Sequence, residues 1–391
     1  MDIKALRNET PGCKHVNHLN NAGAALMPQP VIDAVQNYFL EEANYGGYET
    51  AAKHEREVEQ FYEASARLLG CKPTNIAFTT NATDSYDKAL SALEFKEGDV
   101  VLLSKNDYPS NFISLLSIQK RIGIKLVEIN NTDTGEIDLE DLEAKIKQYH
   151  PRLLSITHIP TSSGLVQPVN EIGNIVKNYD LLYLLDACQS IGQMEVDALS
   201  TQADFISGTF RKFLRGPRGS GILYASDKAL TQGLSPLYLD MRGADWINEQ
   251  HYKTRDDARR FELWEFSYAN ILGSKVAIEY ALKLGMQNIW ERNQHLTALL
   301  KTELAAAGMT LQDRGKVQSS IVTFTMPVKT TGEKVKKYLN DKGINVNFTS
   351  KSVAIIDFEE KGIDWAVRVS PHYYNTEEEI FSLVEALKEF I

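Results

Sequence analysis

Between about residue 50 and residue 230, short apolar runs alternate with stretches of helical spacing. The runs are Ile76–Thr79, Val100–Leu103, Ile124–Ile129, Leu153–Thr157, Leu181–Leu185, Phe205–Ser207 and Gly221–Tyr224. A strand with one wet face alternates apolar and polar side chains. Most of these runs are apolar throughout, as expected of strands covered on both faces. Joined through helices, they predict a seven-stranded, mostly parallel sheet in an α/β domain. Ligands of such sheets sit at the carboxyl ends of the strands, so the residues just after each run are the first place to look for chemistry.

After residue 270 the pattern changes. Ile271–Leu284 and Asn288–Ala307 read as long helices, each stopped near a glycine, Gly285 and Gly308. Ile321–Met326 then reads as a strand, Glu333–Asp341 as a helix and Ile344–Phe348 as a strand, with Val353–Ile356 and Ala366–Val369 as further strand candidates. A last helix, Glu377–Ile391, places Ile380, Leu383, Val384, Leu387 and Ile391 on one face. The expected organisation is a large α/β domain over residues 21–270 and a smaller α+β domain over 271–391, the latter joined by residues 1–20. Repeats, low-complexity segments and long linkers are absent from the pattern.

Composition narrows the class. With 391 residues, 43% hydrophobic and 24% charged, the chain can bury two cores. A net charge of −10 argues against a nucleic-acid partner, which needs clustered positive charge, while leaving room for a local basic pocket. Residues 1–20 lack the basic stretch and apolar core of a secretory signal. No run reaches the roughly 18 apolar residues of a membrane span. Cys13, Cys71 and Cys188 form neither a disulfide framework nor a metal-ligand spacing. A soluble protein of the reducing cytoplasm is expected, and the sequons at Asn81 and Asn347 are chance matches in that setting.

Four strand ends carry candidate chemistry. Phe205–Ser207 leads into Gly208-Thr209-Phe210-Arg211-Lys212-Phe213, where a desolvated lysine beside a second cation favours the neutral, nucleophilic amine. The same residues also suit a basic surface turn. Leu181–Leu185 ends in Asp186-Ala187-Cys188-Gln189, and a carboxylate there needs a partner or else caps a helix starting at Gln189. After Ile76–Thr79 come Thr80-Asn81-Ala82-Thr83-Asp84-Ser85 and helical spacing, which form an anion-binding helix start or a plain cap. After Val100–Leu103, Tyr108 can stack on a flat ring or pack a turn. An amine, an acid, a phosphate-type helix start and an aromatic plate are together what a pyridoxal phosphate site needs.

Nearly the whole chain, from His18-Leu19-Asn20-Asn21-Ala22-Gly23 to Arg368-Val369-Ser370-Pro371-His372, resembles the class V aminotransferase group of fold-type I pyridoxal phosphate enzymes, which also contains the cysteine desulfurases. The resemblance implies the fold of these PLP-dependent transferases, a homodimer and an amino-acid substrate. The desulfurase pattern Ser-x-His-Lys falls on Thr209-Phe210-Arg211-Lys212, which makes Lys212 the Schiff-base residue. By the same matching, Thr209, Arg211, Ala82 and Thr83 hold the phosphate, Asp186 pairs with the ring nitrogen and Gln189 lies near the ring hydroxyl. Tyr108 takes the stacking place of a histidine, Thr161 that of an asparagine beside the ring, and Arg368 that of the arginine for the substrate carboxylate.

Departures from the desulfurase pattern carry information too. Residues 345–367 hold no cysteine where desulfurases keep the sulfur-accepting thiol. Cys188 and Cys71 read as inert packing residues. Trp264-Glu265 replaces the Gly-Thr whose threonine reaches the partner subunit's phosphate. Arg211 in the cofactor motif, the Gly46-Gly47-Tyr48 segment and the ending Arg368-Val369-Ser370-Pro371-His372 resemble the carbon–sulfur lyase branch that includes the hercynylcysteine sulfoxide lyases. The expected reaction is β-elimination at a cysteine S-conjugate, with transamination or sulfur transfer as the rivals. A pyridoxal phosphate binder without turnover is a remoter alternative, and one that would have no use for Arg368.

Overall fold

The computed structural model describes all 391 residues. Seven strands form the main sheet: β1 (Ile76–Thr79), β2 (Val100–Ser104), β3 (Lys125–Ile129), β4 (Leu153–Thr157), β5 (Leu182–Asp186), β6 (Phe205–Thr209) and β7 (Gly221–Ala225). Their spatial order is β1-β7-β6-β5-β4-β2-β3. β7 runs antiparallel to both its neighbours, and every other pairing is parallel. The apolar runs follow from burial on both sides. Leu102, Leu154, Ile156, Leu185 and Ile206 enter the core on one face of the sheet. Their chain neighbours Val101, Leu153, Leu184 and Phe205 enter the core on the other.

A four-stranded antiparallel sheet, in the order 310–311, 322–325, 365–369, 347–350, lies beyond it. Its own core draws on Leu296 and Leu300, Val335 and Leu339, and Ile380, Leu383, Val384 and Leu387 from three helices. Helix Tyr268–Leu284, expected with this second sheet, instead packs on helices Gln29–Tyr45 and Glu55–Leu69. Its Ile271, Leu272 and Ile278 belong to the core of the main sheet.

Other local expectations change as well. Val353–Ile356 is not a strand: residues 351–353 form a 3-10 turn and Ile355–Lys361 a helix. Ile344–Phe348 divides at buried Val346, with 344–345 pairing to Asn17–His18 and 347–350 joining the second sheet. No helix begins at Gln189; Asp186 Oδ1 instead accepts the Cys188 N–H at 2.9 Å and closes a turn. Ile391 is exposed, because the last helix ends at Phe390.

Residues 17–26 run between the two sheets. Asn21 N–H donates to the Ser370 carbonyl at 3.2 Å and Ala25 N–H to that of Arg211 at 2.9 Å. Arg215, fully enclosed, donates to the Leu26 carbonyl at 2.8 Å, the Tyr373 hydroxyl at 2.8 Å and Thr10 Oγ1 at 2.6 Å. Its guanidinium also lies 4.3 Å from the Tyr374 ring centroid, so aromatic faces and neutral oxygens stand where a counter-ion would otherwise be needed.

Two turns that carry site residues touch at Gly192. Its φ is +94°, and a Cβ there would fall 2.4 Å from both Leu214 N and the Phe213 carbonyl carbon. Gly233 has a similar φ of +75° with open space around it. Gly233→Ala should therefore cost about 1 kcal/mol or less, whereas Gly192→Ala should exceed about 2 kcal/mol. Thermal unfolding of the two variants separates the terms. Equal losses would mean that backbone angle, and not close approach, requires the glycine.

Candidate active site

β4, β5 and β6 end side by side, with Thr157 in register with Asp186 and Asp186 with Ser207. At that edge lies a cavity of about 170 Å³. It is lined by all nine residues expected to hold the cofactor. Lys212 and Arg211 come from the turn after β6, and Thr209 from the end of β6 itself. Asp186 ends β5 and Gln189 follows it, Thr161 follows β4, and Tyr108 follows β2. Ala82 and Thr83 open the helix Ala82–Ser91, whose N-cap Asn81 also faces the cavity.

Strand β6 ends against β7, and Thr209 Oγ1 donates to the Ser220 carbonyl at 3.2 Å. The chain then turns inward, which buries Lys212 almost completely. Its amine stands 6.0 Å from the centroid of the Tyr108 ring. Burial pushes the amine's pKa down; Arg211 and Arg368 add to this, while Asp186 opposes it. Arg211 donates to the Gly23 carbonyl, and burial lowers its pKa as well.

Arg368, on the strand Trp365–Val369, is 6% exposed and has no carboxylate partner. Its guanidinium donates to Thr161 Oγ1 at 2.5 Å, to the Thr161 carbonyl at 3.3 Å and to Asn20 Oδ1 at 3.2 Å, and its Nε has no partner. Burial, with repulsion from Arg211, lowers its pKa to about 10. Gln189 Nε2 donates to Thr161 Oγ1 at 3.1 Å and to the Ala22 carbonyl at 3.2 Å, while its buried Oε1 has no partner. Asp186 is 5% exposed; its Oδ2 accepts an amide hydrogen of Asn111 at 3.0 Å. The site thus gathers Lys212, Arg211 and Arg368 around one nearby acid, Asp186. Such a surplus of buried positive charge suits anions.

Sequence reasoning missed Asn111 and Thr157, which line the cavity, and Asp107 behind them. Asp107 Oδ1 accepts from Tyr108 N–H at 2.7 Å, from Asn111 Nδ2 at 2.9 Å and from the Thr157 hydroxyl. The available signal was the spacing of Asp107 and Asn111, four residues apart across the start of helix Pro109–Ile122. Cys188 also lines the cavity, but burial and the Asp186 carboxylate hold its thiol far above the ordinary range.

Residues 17–383 match the family model described as aminotransferase class V. The chain belongs to the class V aminotransferase family. A probable cysteine desulfurase of Methanothermobacter thermautotrophicus is 29% identical, over 100% of this chain and 98% of that protein. An apo cysteine desulfurase from Thermococcus onnurineus superposes with a TM-score of 0.91 at 26% identity, covering 99% of this chain and 98% of that one. The cystine C–S lyase C-DES, solved with cysteine persulfide, shares the fold with a TM-score of 0.86 at 21% identity, covering 97% and 99% of the two chains.

Class V enzymes work with pyridoxal phosphate, and the cavity fits that group. It offers a buried amine, an acid facing inward, an unpartnered acceptor on Gln189 and open helix amides beside Thr209 and Arg211. This class V chain is accordingly a pyridoxal-phosphate-dependent enzyme.

Arg368 generates a test of its own. A buried cation without a counter-ion costs the fold more than an apolar side chain of similar length. Arg368→Met should leave the melting temperature of the cofactor-free protein equal or higher, and should abolish its rise when an amino-acid ligand is added to the loaded protein. A fall of several degrees without ligand would show that the guanidinium serves packing.

Proposed function

We propose that this enzyme is a carbon–sulfur lyase that eliminates the sulfur substituent of a cysteine S-conjugate or sulfoxide, in the manner of the hercynylcysteine sulfoxide lyase branch. When bound, pyridoxal phosphate supplies a carbonyl that takes up the substrate amine and a ring that draws electrons from Cα. Lys212 is the residue that holds this carbonyl. Once released by substrate, its neutral amine removes the Cα proton. Asp186 holds a proton on the ring nitrogen, and Gln189 and Thr161 face the ring's edge. Tyr108 covers the ring, and Ala82, Thr83, Thr209 and Arg211 hold the phosphate. Arg368 binds the substrate carboxylate, which fixes the Cα–H bond relative to Lys212. The Cβ–S bond then breaks with its electron pair leaving on sulfur, and the three-carbon remainder takes up water to give pyruvate and ammonia.

The observation that carries this reading is the lack of a usable thiolate. Desulfuration needs a cysteine that takes sulfur from the substrate, whereas in elimination the sulfur leaves with its own substituent. Cys188 is held protonated, and burial pushes Cys71 to about 12. In the segment without cysteine, helix Ile355–Lys361 is tied down by Glu360, which pairs with Lys105 at 3.2 Å and Arg314 at 3.7 Å. The names of the relatives favour a second reading, cysteine desulfurase. Amino transfer on the same scaffold is a third.

One assay separates them. Incubation with a cysteine S-conjugate should release pyruvate and ammonia in equal amounts, and replacing all three cysteines with serine should leave the rate within about threefold, since elimination asks no cysteine to accept sulfur. With free cysteine in place of the conjugate, alanine and a protein-bound persulfide would establish desulfuration. Amino transfer to an added keto acid, without pyruvate from the conjugate, would establish a transaminase.

The same proposal includes a homodimer. The hairpin Ala244–Thr254 exposes Trp246 at 81% and Tyr252 at 64%, and Tyr238 before it is 84% exposed. Apolar groups this large in one stretch of surface mark a contact with another protein. Light scattering should give twice the chain mass, and Trp246→Glu should shift the population toward monomer. A monomeric parent protein would overturn the assignment. No helix is long and apolar enough to cross a membrane.

A further inference from the structure

Behind Asp186 lies a set of hydrogen bonds that the proposed chemistry does not use directly. The Asn111 amide has two hydrogens, and both point at acids: one at Asp186 Oδ2, 3.0 Å away, and one at Asp107 Oδ1, 2.9 Å away. Turned over, the amide would aim its oxygen at two carboxyl groups. Its orientation is therefore enforced from both sides. Asp107 is itself fixed by the Tyr108 N–H and by the hydroxyl of Thr157, the register neighbour of Asp186 on the adjacent strand. Three strand ends and the first turn of helix Pro109–Ile122 thus converge on one carboxyl group. Asp186 receives only one other donor, the Cys188 N–H on Oδ1.

We propose that Asp107 and Asn111 are positioning residues that hold the Asp186 carboxylate in one orientation toward the ring nitrogen of the cofactor. This rests on the reading of Asp186 as the partner of that nitrogen. Neither residue meets the ring nitrogen; Asp107 acts through Asn111, and Asn111 through Asp186. Asp107 Oδ2 is buried without a partner, so the carboxyl is held through Oδ1 alone. Burial, with the charge of Asp186, pushes Asp107 up to about 7. The other titratable group facing it is Tyr86, whose hydroxyl is engaged with Ser155 at 2.7 Å.

The test uses binding, and so does not depend on which Cα-linked bond the enzyme breaks. The full chain, freed of cofactor, is titrated with pyridoxal phosphate and with the carbocyclic analogue in which the ring nitrogen is replaced by C–H. Asp107→Ala and Asn111→Ala should weaken pyridoxal phosphate about tenfold, as loss of an outer partner does for metal ligands, and leave the analogue unchanged. Asp107→Asn keeps an oxygen for the same three donors and should restore binding to within about threefold. Equal losses for both compounds would reduce the pair to packing and overturn the proposal, as would no loss for either. Asp186→Ala marks the difference between the two readings. If it too fails to discriminate, Asp186 does not meet the ring nitrogen. If it discriminates while Asp107→Ala does not, the positioning role alone falls.

Discussion

The site is organised by a surplus of positive charge that the chain itself does not neutralise. Lys212, Arg211 and Arg368 are drawn out of water at the carboxyl edge of the sheet, with Asp186 as the nearby acid. Taking such charges from water is costly, and the chain offsets the cost with carbonyls and hydroxyls: Gly23 for Arg211, Thr161 and Asn20 for Arg368. What neutral oxygens leave unsatisfied, Arg368 Nε among it, is open to an anion. The same burial that makes the cations costly makes Lys212 a better nucleophile, so affinity and reactivity have one physical source.

Most of the scaffold was legible in the sequence because its strands are covered on both faces. A run such as Leu153–Thr157 can only be that apolar if helices close over each side. That Asp186 and Lys212 meet at one cavity was legible for a related reason, since a polar group that ends such a run is led to the sheet's edge, whereas Thr161 and Gln189 were picked out only by the resemblance. The misreadings have a common cause as well. Val353–Ile356 is apolar but lies at the surface, where Val353 and Ile355 are exposed, and hydropathy alone does not separate a strand from a short helix there. Ile344–Phe348 alternates apolar residues with Asn345 and Asn347 like a single strand but is shared between two pairings, one of them with Asn17 about 330 residues away.

Asn111 and Asp107 illustrate what pattern reading does not reach. Each is unremarkable where it stands in the chain, one in the first turn of a helix and one just before it. Their meaning comes from Thr157 and Asp186, which belong to two other strands. Arg215 is similar: a lone arginine in a basic motif reads as surface, yet it is enclosed by tyrosines from the far end of the chain. In both cases the decisive partner is distant in sequence and neutral or like-charged, so neither composition nor spacing announces it.

The strand of chain from residue 17 to residue 26 has a consequence for how the molecule comes into being. It pairs with residues 344–345 and 370, and it supplies the Gly23 and Ala22 carbonyls to Arg211 and Gln189. These contacts span nearly the whole length of the polypeptide, and closing them loses more chain entropy than any local pairing. During synthesis the main sheet has all its strands once residue 225 has emerged, yet this first segment has only part of its docking place, at Gln189, Arg211 and Arg215, until residue 370 follows. The cavity can then close around its ligand only as a late event, after both sheets have formed. A nascent chain would therefore be partly folded well before it could bind cofactor, with its earliest residues among the last to settle.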